Sequence, residues 1–321
     1  MQRPAIVDLA DCAPAPGRSG ALPGGADAEA AEPRVAAALC ASLRSTGFAV
    51  VTGHGLPPDL VARAHRAFTA FFSLPAAVRA RCGGVPGGQR GYTAYGVERA
   101  VGHPVPDAKE FFHVGADGPG RDPANVWPED VPELRPVATA LFAALERCAA
   151  ALLGLVESGC GLPRDALVEP VRDGNHVLRA AHYPPRPPDA DPRVLRAAPH
   201  QDINLITLLC GATDAGLEIR DAAGRWLPVE APPDALVADA GDMLARVTGG
   251  AIPATTHRVV DPPGGARRAR LSLPFFAHPR PECTLRVLEP FAGPDSARTH
   301  PPITAGAFLE ERLRQIGLLH A

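Results

Sequence analysis

His200 and Asp202 sit two positions apart, just ahead of the apolar run Ile203-Asn204-Leu205-Ile206-Thr207-Leu208-Leu209. In an extended chain, side chains two apart share a face, so His200 and Asp202 aim into one space while Gln201 points away. The β-branched and apolar residues behind them predict a buried strand over 203–210 that starts at this pair. Much later, His257 opens a second strand-like run, His257-Arg258-Val259-Val260. Two imidazoles and one carboxylate leave coordination positions empty, which suits Fe(II) that must also take up oxygen and a substrate. Such a site needs neutral imidazoles and an ionised carboxylate.

A second pair with chemical potential is Arg270-Leu271-Ser272, thirteen positions beyond His257. On a strand both side chains face one way. A guanidinium fork matches a carboxylate and the serine hydroxyl adds a donor, so the pair makes a seat for a dicarboxylate or amino-acid co-substrate. The plainer alternative is an arginine neutralised by an acidic neighbour at the sheet surface.

The elements that must position these residues differ between the two halves of the chain. Residues 13–33 are rich in Ala, Gly and Pro and read as an irregular loop. From Pro33 to Gly47 the apolar spacing Val35, Leu39, Leu43 predicts a helix, and Phe48-Ala49-Val50-Val51 a short strand closed at Gly53-His54-Gly55. A second helix starts at Pro57-Pro58-Asp59 and buries Leu60, Ala64, Phe68 and Phe71 or Phe72 before Leu74-Pro75 stops it. The glycines of 83–91 lack a dinucleotide-binding pattern and read as a covering loop. A long helix is expected over 136–154, a proline-rich connection over 184–192, and a closing helix over 305–316. Short strands are expected at 177–183, 203–210, 216–220, 225–229, 235–238, 257–260, 270–276 and 284–288, with a hairpin around Asp221-Ala222-Ala223-Gly224. The fold class that follows is α+β. Its core is a jelly roll (a double-stranded β-helix) in 171–321, flanked by helices and packed against a mostly helical region in 1–170.

Composition removes several chemistries. With 321 residues and a net charge of −3, the chain has a core of useful size and no overall electrostatic footprint for nucleic acid or an anionic membrane. Lys109 is the only lysine, so no G-x-x-x-x-G-K-[ST] loop exists and no Schiff-base lysine is available elsewhere. A G-x-S-x-G elbow is also absent. The seven cysteines are scattered with no C-x-x-C pair, which predicts reduced, mostly buried thiols and no disulfide framework. No apolar run of membrane-spanning length and no signal-peptide apolar region is evident, so the expectation is a cytoplasmic protein.

With these motifs in view, the chain resembles the isopenicillin N synthase-like branch of the Fe(II)/2-oxoglutarate-dependent dioxygenases, nearly end to end. The first half carries Gly47-Phe48, His54-Gly55, Phe71-Phe72-Ser73-Leu74-Pro75, Gly91-Tyr92 and Lys109-Glu110-Phe111. The second carries Tyr183-Pro184, His200-x-Asp202, Gly241-Asp242-Met243-Leu244, Thr256-His257-Arg258-Val259 and Arg270-x-Ser272. The resemblance implies that His200, Asp202 and His257 are the iron ligands. It also implies that Arg270 and Ser272 grip the distal carboxylate of 2-oxoglutarate and that Tyr183 helps bind that co-substrate. Two positions depart from the pattern: Ala181, where many relatives have asparagine and where Arg179 is a candidate replacement contact, and Asp239, also often asparagine. Neither is a ligand position.

The resemblance implies an oxidoreductase that uses Fe(II), 2-oxoglutarate and O2 to hydroxylate, desaturate or cyclise a small molecule, a secondary metabolite or amino-acid derivative of the kind met in antibiotic biosynthesis. Asp202 speaks against halogenation, for which relatives replace the carboxylate. Isopenicillin N synthase and aminocyclopropane-carboxylate oxidase share the triad and Arg-x-Ser yet use no keto-acid, so a 2-oxoglutarate-independent Fe(II) oxidase stays open. A non-catalytic ligand-binding jelly roll is the remote alternative. The expected partner is a small-molecule substrate, with no nucleic acid or membrane, and the expected state is a monomer. Turn or packing roles are expected for His54 and His182. Lys109 and Glu110 are expected near the pocket, and Phe111, Phe112, Phe275 and Phe276 chiefly in the core.

Overall fold

A computed structural model describes residues 3–12, 28–85, 89–118, 123–187, 190–191, 193–262 and 267–319. Most of the loop expected over 13–33, the middle of the 83–91 loop and parts of the proline-rich connection lie outside the described residues.

The chain begins with β1 (Ala5–Asp8), α1 (Ala28–Thr46) and β2 (Phe48–Thr52). Helix α1 starts ahead of the expected boundary and takes Pro33 into its length. Then come α2 (Pro58–Phe72), α3 (Ala76–Ala80), β3 (Gly91–Thr93), β4 (Glu110–Val114), α4 (Leu134–Cys160) and α5 (Val168–Val171). Both Phe71 and Phe72 are buried on α2. Helix α4 outruns its expected bounds because Ala, Leu and Val continue in helical phase until Gly161 ends it at φ +67°. By length and composition α4 could cross a membrane, contrary to the sequence reading. In the fold its apolar side packs on α1, α2 and the large sheet.

The second half supplies β5 (Val177–Tyr183), β6 (Ala197–His200), β7 (Ile206–Cys210), β8 (Leu217–Arg220), β9 (Trp226–Pro228), β10 (Leu236–Ala240), α6 (Asp242–Val247), β11 (His257–Val259) and β12 (Arg270–Ala277). It closes with β13 (Thr284–Leu285), α7 (Ser296–Thr299), β14 (Ile303–Thr304) and α8 (Ala305–Gln315). Strands β8 and β9 form the expected hairpin. The strand expected over 203–210 begins only at Ile206, and His200 instead ends β6.

Eight strands make one sheet in the order β1-β2-β10-β7-β12-β5-β4-β3, and four make a second in the order β6-β11-β8-β9. From β5 to β12 the chain passes back and forth between the two sheets. Ile219 and Leu227 of the small sheet meet Phe48 and Val237 of the large one, and Ala197 and Val259 meet Ala181 and Tyr183. The molecule is therefore mixed helix and sheet, with the large sheet covered on its other side by α1, α2 and α4.

One cysteine expectation fails. Cys40 of α1 and Cys160 at the end of α4 form a disulfide, their Cα atoms 5.9 Å apart. The two helices approach closely because Gly159 lies against α1; a Cβ there would stand 2.1 Å from the Ala36 carbonyl oxygen. Cys82, Cys148 and Cys210 are free and buried, as the sequence predicts.

Candidate metal centre and its two cavities

The antiparallel ladder sets His257 of β11 directly opposite His200 of β6, with ring centroids 4.3 Å apart. Backbone carbonyls fix both rings. His200 Nδ1 lies 2.7 Å from the Ala198 oxygen and His257 Nδ1 3.2 Å from the Thr255 oxygen. With Nδ1–H donating to those oxygens, each Nε2 keeps its lone pair for a ligand. Both Nε2 atoms stand 3.8 Å from Asp202 Oδ1. Asp202 Oδ2 is turned away by a hydrogen bond from the Thr207 hydroxyl, itself bound to Asn204. The three donor atoms lie within 4.8 Å of one another.

Asp202 lies between strands, and helix α6 holds its loop. The first amides of a helix have no partners within it. Here Asp242 N–H donates to the Asp202 carbonyl at 2.7 Å and Met243 N–H to those of Ile203 and Asn204 at 3.2 Å. Gly241 permits this approach, since a Cβ there would stand 2.1 Å from the Asn204 oxygen. The Gly-Asp-Met motif is thus the clamp on the carboxylate-bearing loop. Gly47 serves His257 in a similar way. At φ +72° it lets the chain pass Pro253 and Thr255, and Phe48 then meets the His257 ring edge-on at 5.5 Å.

Electrostatics favour metal binding at His257. Burial first, then the neighbouring His200, holds its pKa well below the ordinary value, so the ring is neutral near pH 7, as a metal ligand must be. Asp239 is closer to this centre than the sequence suggested. Its Oδ2 lies 3.5 Å from His257 Nδ1, and neither oxygen has a hydrogen bond among the described residues. Burial, then the charge of Asp202, pushes that carboxyl well above the usual range.

Two cavities meet at the donor set. One, of about 440 Å³, is lined by His200, Asp202 and His257 together with Tyr183, Arg270 and Ser272. Arg270 is opposite Tyr183 across β12 and β5, its guanidinium carbon 5.1 Å from the ring centroid. Its Nη1 donates to Ser272 Oγ at 3.1 Å and its Nε to the Asp214 carbonyl at 3.1 Å. Arg270 is 4% exposed and pairs with no carboxylate among the described residues. Burial pulls its pKa down, with Tyr183 and, more weakly, the Asp214 charge opposing. A buried guanidinium without an anion is costly, and a dicarboxylate entering this cavity would relieve that cost. Arg270 thus lies inside the cavity rather than at the sheet surface, with no ion pair to an acidic neighbour among the described residues.

The other cavity, of about 360 Å³, shares Lys109, Arg179, His200, Asp202 and Phe276 with the first. Lys109 bridges Asp107 at 2.8 Å and Glu98 at 3.3 Å, while Arg179 pairs with Glu98 at 3.0 Å. Burial pushes the Glu98 carboxyl up, but Arg179 and Lys109 outweigh it and hold the group far below its ordinary range. Asp107 also accepts from Ala198 N–H at 2.9 Å, tying this cluster to the strand that ends in His200. Sequence reasoning placed Lys109 near the pocket but missed Glu98 and Asp107, which belong to no motif. Glu110 is structural, taking bonds from Arg79, Tyr92 and His182. His54 braces a turn through the Asp234 carbonyl, and His182 stacks on Phe72 at 4.7 Å. Of the four phenylalanines only Phe276 lines the cavities.

Comparison with known proteins decides the family. Residues 174–279 match the 2OG-Fe(II) oxygenase superfamily, and residues 20–134 match the N-terminal region described for the non-haem dioxygenase in morphine synthesis. The chain belongs to the 2OG-Fe(II) oxygenase superfamily. It is 35% identical over 246 residues to 2-oxoglutarate-dependent dioxygenase citB of Monascus ruber, covering 69% of this chain and 72% of that protein. A solved 2OG-Fe(II) oxygenase family protein of Caulobacter crescentus is 40% identical with a TM-score of 0.80, covering 89% and 95% of the two chains. A full-length Neurospora crassa protein, solved in complex with alpha-KG and thymine, shares the fold at 24% identity and a TM-score of 0.83 over 97% and 96%. This oxygenase is an Fe(II)- and 2-oxoglutarate-dependent dioxygenase, an oxidoreductase with O2 as its other co-substrate. The donor set fits the metal, and the buried Arg270, without an ion pair among the described residues, fits the keto-acid.

Proposed function

We propose that His200, Asp202 and His257 hold the iron, that Arg270 and Ser272 bind the distal carboxylate of 2-oxoglutarate, and that Tyr183 forms the wall beside it. The observation that carries this reading is the shared cavity: the three donors and a buried guanidinium with no ion pair among the described residues line the same space. Strands β5 to β12, passing between two facing sheets, support reading the core as a jelly roll with the metal centre at its open end. When bound, Fe(II) couples O2 reduction and decarboxylation of 2-oxoglutarate, to succinate and CO2, with a two-electron oxidation of the substrate.

The chain's own residues bind, orient and shield. Ala198 and Thr255 carbonyls hold the imidazoles in the tautomer that presents Nε2. Thr207 holds Asp202 so that one oxygen faces the imidazoles. Arg270 and Ser272 fix one end of the keto-acid so that its other end reaches the metal, a positioning effect that spares the reaction an orientation cost. Buried Phe48 against the His257 ring and half-buried Phe276 at the cavity wall help exclude water from a reactive centre. The acceptor is a small molecule, such as a secondary metabolite or amino-acid derivative, entering through the cavity beside Glu98, Lys109 and Arg179.

The test is an anaerobic titration of the Fe(II)-loaded protein with 2-oxoglutarate, watching the visible band of a keto-acid on ferrous iron. The expected result is a saturable band that is lost in Asp202→Ala and His257→Ala. A band of full intensity in both variants would refute these ligands.

A further inference from the structure

The cavity beside Lys109 and Arg179 has a charge balance that constrains its ligand. Its charged walls are Arg99, Lys109, Arg179 and Arg312 against Glu98, Asp107, Asp202 and Asp242. Within the reading of the metal centre proposed above, on which this inference rests, Asp202 is accounted for separately. There the formal charges of Fe(II), the 2-oxoglutarate dianion, Asp202 and Arg270 cancel. Arg312 lies 3.4 Å from Asp242, and Lys109 and Arg179 share Glu98 and Asp107 in the buried cluster. One positive charge is left, on Arg99. That side chain is exposed and has no ion pair or hydrogen bond among the described residues.

Arg179 adds a direction. Its Nε donates to His113 at 2.7 Å and its Nη1 bonds to Glu98, which leaves Nη2 as the open edge of the guanidinium. Phe111 lies against its plane at 4.1 Å, and Phe276 lies within 5.2 Å, so the fork cannot swing freely. Because Arg179 lines both cavities with His200 and Asp202, an acceptor group held there lies beside the metal centre.

The rim supplies a third observation. Of the four large hydrophobic side chains exposed among the described residues, Tyr95, Val97 and Val101 all fall on the loop that carries Arg99. Val101 lines the cavity itself, as does apolar Leu313 of α8. Clustered exposed apolar side chains beside a cavity mark a surface that gains by being covered.

We propose that the primary substrate is a small amphiphilic monoanion. Its carboxylate, or an equivalent acidic group, lies on the open edge of Arg179 with Arg99 supplying the uncompensated charge. Its apolar body lies against Phe276, Leu313 and Val101. Arg179 and Arg99 are thus specificity-determining residues, and a cationic or neutral analogue of the same shape would be discriminated against because it leaves the excess charge unmet.

The experiment uses the full chain loaded anaerobically with Fe(II) and saturated with 2-oxoglutarate, so that the keto-acid seat is filled. Probes are 3-phenylpropanoate and octanoate, each matched with its primary amide and its amine. Binding is read by saturation-transfer NMR and by perturbation of the keto-acid band. The carboxylates are expected to bind about tenfold or more tightly than their amides and amines, and Arg99→Glu to weaken them by about tenfold with the keto-acid band retained. Arg99 has no partner to lose among the described residues, so this variant does not test folding; Arg179→Gln, checked for the same band, reports on the inner contact. Equal or tighter binding of amides or amines overturns the proposal. So does carboxylate binding unchanged in Arg99→Glu, or no binding by either carboxylate. Absence of the keto-acid band in the unmutated protein would instead defeat the metal-centre reading itself.

Discussion

Replacing Arg270 with methionine separates a ligand-binding arginine from a structural one, because the two roles predict opposite effects on the empty protein. Arg270 is 4% exposed and makes hydrogen bonds to Ser272 and to the Asp214 carbonyl, but no ion pair with a carboxylate among the described residues. Without 2-oxoglutarate it is a desolvated cation held by neutral partners. An apolar residue of similar length is then expected to leave the unfolding midpoint unchanged or to raise it, as found when buried charges give way to packed hydrophobes. With 2-oxoglutarate the balance reverses. Losing a desolvated, charge-assisted carboxylate contact costs about 3–5 kcal/mol, so the dissociation constant rises by roughly 10²- to 10³-fold or more at about 1.4 kcal/mol per decade. Two assays check this: the anaerobic keto-acid band, and thermal unfolding with and without 2-oxoglutarate. In the parent protein a ligand at 100 times its dissociation constant adds about 2.7 kcal/mol of stability, and that increment is expected to vanish in the variant. A variant that unfolds much earlier yet binds 2-oxoglutarate normally would refute the argument.

Two other predictions concern stability. Burial, then the nearby His176, holds His278 down to about 3, so between pH 6.5 and 3 the unfolded chain binds a proton that the native protein does not. Stability is therefore lost as pH falls through that window; at pH 5.5 the metal-free protein loses about 1.4 kcal/mol on this account relative to pH 7.5. Urea unfolding at both pH values should show a flatter pH dependence for His278→Asn, and an unchanged slope would count against it. The Cys40–Cys160 disulfide closes a loop of 120 residues, so reduction, or Cys40→Ser, is expected to lower stability by about 2–4 kcal/mol. Equal denaturation midpoints with and without reductant would show that the bond contributes nothing.

What the sequence revealed, and what it withheld, follows from the range of the interactions. His200, Asp202 and His257 were legible because the two-residue spacing and the strand-like surroundings are local facts. Arg270 and Ser272 were legible for the same reason, and β5 was found with its boundaries intact because Val177, Leu178 and Tyr183 frame a run that Pro184 closes, which the fold then pairs on both sides. Strand β6 was missed because Ala197-Ala198-Pro199 has little β propensity; its ladder with β11 and its ties to Asp107 and Ala108 make it a strand. Strand β4 was missed because Glu110 and His113 break the apolar run, and only the fold provides them with Arg79, His182 and Arg179. The disulfide, the closeness of Asp239 to His257 and the Glu98–Lys109–Arg179 cluster are all long-range. No local pattern encodes which distant residues will meet.

Strand β6 lies at the outer edge of the four-stranded sheet, paired only with β11 inside that sheet. With His200 on that margin and His257 on its inner neighbour, iron held by the proposed ligands would act as a rivet between the last strand and the body of the sheet. Loss of metal should then appear first as faster amide hydrogen exchange along β6, while the helices and large sheet stay closed. Iron supply would thereby govern the wear of the enzyme as well as its turnover, with any local opening beginning at the sheet edge beside the metal centre.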